Sequence, residues 1–404
     1  MSLAPQPLAR YGHAPILMLI TALLMMQPLS TDLYLASLPG LATVFGVPPS
    51  TVQLTLSLFV IGFGGAQLVI GPLSDRFGRR PVLLYGLALY VAASALCALS
   101  QSIAMLIAAR FLQALGCCCA VIVSRAIVRD AYAPQDSARV IARAGSWLSI
   151  APLLGPILGS YLQVAFGWRA AFVALGILSA GLLTAVILRL PETNRHQNPQ
   201  ATQLSGLLAN YRIVLGAREF WAYALPGALS FGAIFAFISG SSVVLIRVLG
   251  VPVAWFGYCF AFGVSGYLIG TLICHRLLPS HGLRRTLTVG SGVALAAGAL
   301  FLGAVLAGVA HWSLVVAAMF LTMTAHGINF PIAQSGSVSP FPQQAGTAAG
   351  LMGALYMSIA FVVGSVVGAT FDGTLYPLAI VSCMLGLLIF GAVRMLPAAA
   401  PIAA

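Results

Sequence analysis

Charged side chains make up only 6% of this 404-residue chain, so each one set among apolar residues is a candidate for chemistry. Of the seven acids, Asp75, Asp130, Asp136, Glu192, Glu219 and Asp372 fall in loops or at the ends of apolar runs. Asp32 is the exception, in the second half of the first run, between Ile16–Met26 and Leu33–Leu41. Burial disfavours the charged form of a carboxylate, which suits such a group to taking up and releasing protons. Arg110 is the matching oddity in the fourth run. An unpartnered guanidinium there is costly, so it needs Asp32, Gln113 or backbone carbonyls, unless it snorkels to the outer interface. The residues alone leave these open.

The densest charge lies in Gly71-Pro-Leu-Ser-Asp-Arg-Phe-Gly-Arg-Arg-Pro-Val-Leu83, which packs Asp75, Arg76, Arg79 and Arg80 into six residues. Long apolar runs flank it, so it reads as a short aqueous turn between two spans. Its three arginines place it on the cytoplasmic side. A third constellation is Ala151-Pro-Leu-Leu-Gly155-Pro156-Ile-Leu-Gly159, where proline removes a backbone bond and glycines four apart admit a neighbouring helix.

The elements that position these residues are membrane helices. Hydrophobic residues are 60% of the chain and the mean hydropathy is +1.01, well above a soluble domain. The net charge of +12 comes from 19 arginines, no lysine and seven acids. The arginines sit between apolar runs, so no basic face exists to bind nucleic acid. The first run, from about Pro15, is too long for a cleavable signal core and reads as a retained helix. The seven cysteines all fall in or at the edge of apolar runs, without metal-ligand spacing. Cys117–Cys119, between Gly116 and Ala120, read as small residues permitting close helix packing.

Runs long enough to span a bilayer fall at 15–36, 51–71, 80–99, 103–126, 140–164 and 169–190, then 219–243, 253–276, 285–308, 312–334, 346–370 and 375–395. The expected fold is therefore an all-α integral membrane protein. It has an N-terminal six-helix bundle (1–190), a cytoplasmic linker (191–218) and a C-terminal six-helix bundle (219–404). Within the linker, Leu204–Leu215 suits a short interfacial helix. With the N-terminus inside, sixteen arginines between Arg10 and Arg394 lie at cytoplasmic ends, among them Arg139, Arg143 and Arg195; Arg110, Arg169 and Arg247 do not. Both termini are thus expected in the cytoplasm. The halves also repeat: Ser149-Ile-Ala151, Gly155 and Gly159 recur 209 residues on as Ser358-Ile-Ala360, Gly364 and Gly368. Gly78 and Arg80 recur 204 residues on as Gly282 and Arg284, without an acid. Two pseudo-symmetric halves with a path between them is a transporter layout.

The charged turn is similar to the signature between the second and third helices of major facilitator transporters. Asp32-Leu-Tyr34-Leu35 with Leu38-Pro39, Arg110-x-x-Gln113-x-x-Gly116, the Gly155-Pro156 helix and Phe341-Pro342-x-x-Ala345-Gly-Thr-Ala348 narrow the match. Together they resemble the Bcr/CflA branch of twelve-helix drug/proton antiporters over essentially the whole chain. The resemblance implies a proton-driven exporter of bicyclomycin, chloramphenicol-like or sulfonamide-like drugs, with no cofactor beyond the proton gradient. Proton coupling falls on Asp32 and Arg110. A conformational latch falls on Asp75, Arg76, Gly78, Arg79 and Arg80, with Asp75 just before the third helix and the latch reaching toward Gly346. Exchange, as opposed to symport, falls on Gly155, Pro156 and Gly159. One departure is Ala36, where that branch usually carries proline, which puts a kink in the first helix in question.

Midplane residues that would line a drug pocket are Gln27, Tyr34, Gln113, Phe231, Phe235, Phe237, Tyr258, His326, Asn329 and Tyr356. The expected setting is the bacterial inner membrane, as a monomer, with a drug, protons and the lipid bilayer as partners. A metabolite exporter, for an amino acid or a sugar, is the rival reading. An intramembrane enzyme would need convergent His, Cys, Asp or Glu groups at one membrane face, and the acids are too scattered.

Overall fold

The computed structural model describes residues 13–132, 140, 150–194 and 197–394. Expectations attached to Arg10, Asp136, Arg139, Arg143, Ser149 and Arg195 lie outside them. In hydrocarbon every backbone amide and carbonyl needs a partner within its own segment. All regular elements among the described residues are accordingly helical. They are α1 (His13–Asp32), α2 (Leu38–Phe45), α3 (Pro49–Phe77), α4 (Arg79–Ala98), α5 (Ile103–Ala131), α6 (Ala151–Phe166) and α7 (Arg169–Arg189). After them come α8 (Leu204–Gly216), α9 (Arg218–Val243), α10 (Val253–Leu306), α11 (Trp312–Val338), α12 (Ala345–Ala369) and α13 (Tyr376–Arg394). Among the described residues, ten segments are long and apolar enough to cross a membrane. One of them, α10, is two helices meeting at Gly282, and the shorter apolar helix α6 completes the twelve.

The chain divides into two compact units, residues 1–47 with 54–209, and 48–53 with 210–404. The division falls inside α8. In the first unit, the opening span runs from Leu17 to Phe45, but it is not one helix. α1 ends at Asp32, a 3₁₀ turn covers Leu35–Ser37, and α2 resumes at Leu38. Pro39 has no N–H to offer the Leu35 carbonyl, which stops a regular ladder from crossing this point. The kink that Ala36 put in question is therefore present, with Ala36 itself in the turn. Further on, the Ser102 side chain caps α5 by accepting from the Met105 amide at 3.2 Å. Small residues then let α4 and α5 close up, since a Cβ on Gly116 would lie 2.8 Å from the Tyr90 nitrogen. Cys117, Cys118 and Cys119 are buried at that crossing, free thiols acting as packing.

In the second unit, α9 runs unbroken to Val243 and ends in a single π turn, Val244–Val248. Of α8, only Val214 is buried, against a core that includes Phe220, Ala224, Phe341, Ala348 and Tyr356. Phe341 and Ala348, singled out in the sequence as a motif, are thus part of this unit's core.

Candidate functional site

Asp32 is the last residue of α1 and only 4% exposed. Its Oδ1 accepts a hydrogen bond from the Thr31 hydroxyl at 2.8 Å, and no arginine stands within ion-pair distance of it among the described residues. Two glycines of α6 create its berth. A Cβ on Gly155 would lie 3.1 Å from Asp32 Cβ, and one on Gly159 would run into the Leu33 carbonyl. Pro156 is buried between them. The glycine pair and the buried acid, separate constellations in the sequence, are one site.

Arg110 does not pair with Asp32. Fully buried, it donates from Nη1 to Gln113 Oε1 at 2.5 Å and from Nε to the Thr55 carbonyl at 3.3 Å. Its guanidinium lies 4.2 Å from the Phe59 ring centroid, 4.6 Å from Tyr34 and 5.7 Å from Phe172. Such cation–π contacts are worth about 0.5–2 kcal/mol each, more when desolvated. The snorkelling alternative is excluded by this burial.

The same network reaches the opening span on both sides of Asp32. Gln113 Nε2 donates to Ser94 Oγ at 2.8 Å, the Tyr34 and Thr55 hydroxyls are 2.8 Å apart, and those of Tyr90 and Ser30 are 2.5 Å apart. Ser30 and Tyr34 flank Asp32 in sequence, so the positions before and after the break are each tied to the first unit's interior. Tyr34 and Gln113, expected to line a drug pocket, are both buried and in contact with Arg110. Phe59, Tyr90, Ser94 and Phe172 went unnoticed in the sequence, because an aromatic or serine in an apolar span gives no signal of its own.

The Gly71–Leu83 turn holds its charges differently from the expectation. Asp75, expected beside the first turn of the third helix, sits instead in the last turn of α3, and Gly78 is the N-cap of α4. The carboxylate at the start of α4 belongs to Glu192. It accepts from the Arg79 and Arg80 amides at 2.9 and 3.0 Å and from those of Thr193 and Asn194 at 2.9 and 2.8 Å. This answers the orphan amides and the positive end of the helix dipole. Asp75 instead pairs with Arg79 at 2.5 Å, and Arg79 also reaches Asp130 at 2.7 Å. Arg80 donates to the Ile187 carbonyl at 3.0 Å, and Arg76 to Thr202 Oγ1 at 2.5 Å. The partners found for the four charged residues all belong to the first unit.

The remaining pocket candidates divide. In the second unit, Phe231 stacks on Tyr356 at 5.9 Å, and Phe330 lies 4.9 Å from His326. His326 Nδ1 is 3.0 Å from Ser230 Oγ. The Tyr356 hydroxyl and both amide atoms of Asn329 are buried without a hydrogen-bond partner among the described residues. Phe235 is buried, and Phe237 packs on Phe301 at 6.0 Å. Tyr258 is exposed beside Trp255, and Gln27 is half-buried on α1. Asp372, by contrast with Asp32, stands in an exposed turn where hydrogen bonds from Thr374 hold its carboxyl below the usual range.

The sequence model of the Major Facilitator Superfamily matches residues 20–365. Among curated relatives, a chloramphenicol resistance protein of Pseudomonas aeruginosa is 33% identical over 84% of this chain and 80% of its own length. A bicyclomycin resistance protein homolog of Haemophilus influenzae is 28% identical over 88% and 89%, and multidrug resistance protein D of Escherichia coli is 28% identical over 86% of each. Among solved structures, a D-xylose-proton symporter superposes with a TM-score of 0.70 at 15% identity, covering 93% of this chain and 97% of that one. A bacterial homologue of the human lysosomal transporter Spinster gives 0.69 at 16%, covering 97% and 95%. A twelve-span helical fold, the charged turn and a family match over most of the chain agree: this protein is a transporter of the Major Facilitator Superfamily.

Proposed function

We propose that the protein exports small amphiphilic drugs in exchange for protons, by alternating access, as a monomer in the bacterial inner membrane with both termini cytoplasmic. The observation that carries the reading is Asp32. It is a buried carboxylate at a helix break, held by one hydroxyl and free of any ion pair among the described residues. A carboxylate neutralised by a fixed arginine would keep its charge; one with a single weak partner can exchange its proton as its surroundings change. The glycines of α6 support coupling that exchange to movement, because their lack of a Cβ lets α6 lie close against Asp32 and Leu33. The drug class is supported by relatives named for chloramphenicol, bicyclomycin and multidrug resistance. Phe231, Phe235, Tyr258, Asn329 and Tyr356, all of the second unit, are its proposed contacts.

The test is drug-driven proton exchange in proteoliposomes. Asp32→Asn, of the same shape, is expected to insert normally and lose uphill exchange by at least tenfold; undiminished exchange would remove Asp32 from the mechanism. Arg110→Ala is expected to lose more transport than Arg110→Lys, since lysine still supplies a charged donor to Gln113. Equal, parental rates from both would sink the positioning role. Susceptibility of a pump-deficient bacterium expressing the protein, over a panel of drugs and metabolites, separates drug export from metabolite export.

A further inference from the structure

The first unit carries a concavity apart from the surroundings of Asp32 and Arg110. Between α3, α4 and α5 an apolar groove of about 860 Å³ is lined by Gly65, Val69, Phe77, Tyr85, Phe111 and Leu115 among others. Two of its walls face outward strongly, Tyr85 at 79% and Val69 at 54% exposure. Along α3 it runs from Ile61 to Phe77, a length of about 24 Å at a rise of about 1.5 Å per residue. One leaflet of a bilayer is about 15 Å of hydrocarbon, half of a core of about 30 Å. The groove is therefore deep enough to take an acyl chain lengthwise, and its floor is open at Gly65, where an added Cβ would meet nothing within 4 Å.

Its two ends differ in charge. The inner end, at Ile61, Gly62 and Phe111, is apolar. At the other end the Arg76 guanidinium lies 5.0 Å over the Phe77 ring, which is itself a groove wall. Arg79 next to it is balanced by Asp75 and Asp130. Arg76 has only the neutral Thr202 hydroxyl and no carboxylate partner among the described residues. An exposed, uncompensated cation at the mouth of a hydrocarbon-sized groove complements one class of molecule.

We propose that this groove is a phospholipid site, with an acyl chain along Gly65 and an anionic phosphodiester headgroup against Arg76. The site is selective for anionic over zwitterionic headgroups because Arg76 supplies a net charge, and for a chain of lipid length because α3, α4 and α5 enclose it on three sides.

Native mass spectrometry of the full chain, released from detergent with phosphatidylglycerol or phosphatidylcholine of the same acyl composition, tests it. The parent is expected to keep one phosphatidylglycerol, about fivefold over phosphatidylcholine, the effect of one arginine on an anionic lipid. Gly65→Leu and Gly65→Trp fill the groove and are expected to cut retention of both lipids at least fivefold. Unfolding midpoints check that each is folded, and Gly65→Leu decides alone if the larger residue is not tolerated. Arg76→Gln is expected to retain lipid and lose the headgroup preference. Equal retention of the two lipids by the parent overturns the proposal, as does undiminished phosphatidylglycerol on folded Gly65→Leu. A lipid-free dimer in the same spectra would make this face a subunit contact, and displacement of the lipid by added chloramphenicol would make it a drug site; either result also overturns it.

Discussion

The turns at Gly78 and Gly282 share a backbone and differ in what surrounds it. Gly78 has φ 99° and ψ 159°, Gly282 φ 72° and ψ 174°, a region open in practice to glycine alone. Around Gly78 stand Glu192 on the following amides, Asp75 and Asp130 on Arg79, and Asn194 on the Asp75 carbonyl at 3.0 Å. Around Gly282 the contacts are local: Thr286 donates to the Gly282 carbonyl at 2.8 Å, Ser280 meets His281 at 2.7 Å, and Arg284 and Arg285 are exposed. The interiors of the two units follow suit. The first buries Asp32 and Arg110; the second buries His326 among aromatic rings and Asn329 beside Gly290. A glycine suffices to repeat a turn, but charge has to be held by partners from elsewhere in the fold, and those are present in one unit.

The comparison makes three graded predictions, each read from unfolding midpoints in detergent beside a transport assay. The largest effect is expected from Gly78→Ala. Backbone strain of about 1–3 kcal/mol adds to the loss of a cap worth about 1 kcal/mol, because the new Cβ would lie 2.5 Å from Glu192 Oε2. Gly282→Ala meets open space and carries the strain alone. Equal losses would mean that Glu192 does not bear on the turn.

Arg79→Ala comes next, at about 2 kcal/mol. It strands two carboxylates, although the exposure of Asp75 weakens that half of the effect. Arg284→Ala, at the matching place, is expected to stay within about 0.5 kcal/mol. If Arg79 anchors a conformational latch, its variant also changes the ratio of conformers, reported by cysteine accessibility on both faces. A stability loss with unchanged accessibility would leave Arg79 a structural residue only.

The smallest effect belongs to Glu192→Gln. An amide oxygen still accepts from the amides at the start of α4, so about 0.5 kcal/mol is expected, against about 1 kcal/mol for Glu192→Ala. A larger loss from glutamine than from alanine would contradict capping and point to a charge interaction instead.

Much of the fold was legible in the chain. The apolar runs at 80–99 and 169–190 became α4 (Arg79–Ala98) and α7 (Arg169–Arg189), and the Leu204–Leu215 stretch became α8. Span length and position are local properties, because a helix in lipid closes its hydrogen bonds within itself. Asp32 and Arg110 stood out for the same reason, as charges where apolar residues belong. What the residues alone left undecided was who meets whom. The partner of Arg110 is Gln113 with aromatic faces and not Asp32, and the acid that caps α4 is Glu192, 113 residues from Arg79. The berth of Asp32 is cut by Gly155 and Gly159 on a helix far along the chain. Each of these depends on the rotation of one helix about its axis and its register along another. A shift of one residue turns a side chain by about 100° and a different face meets the neighbour. Tertiary packing sets those two quantities, and no local periodicity encodes them.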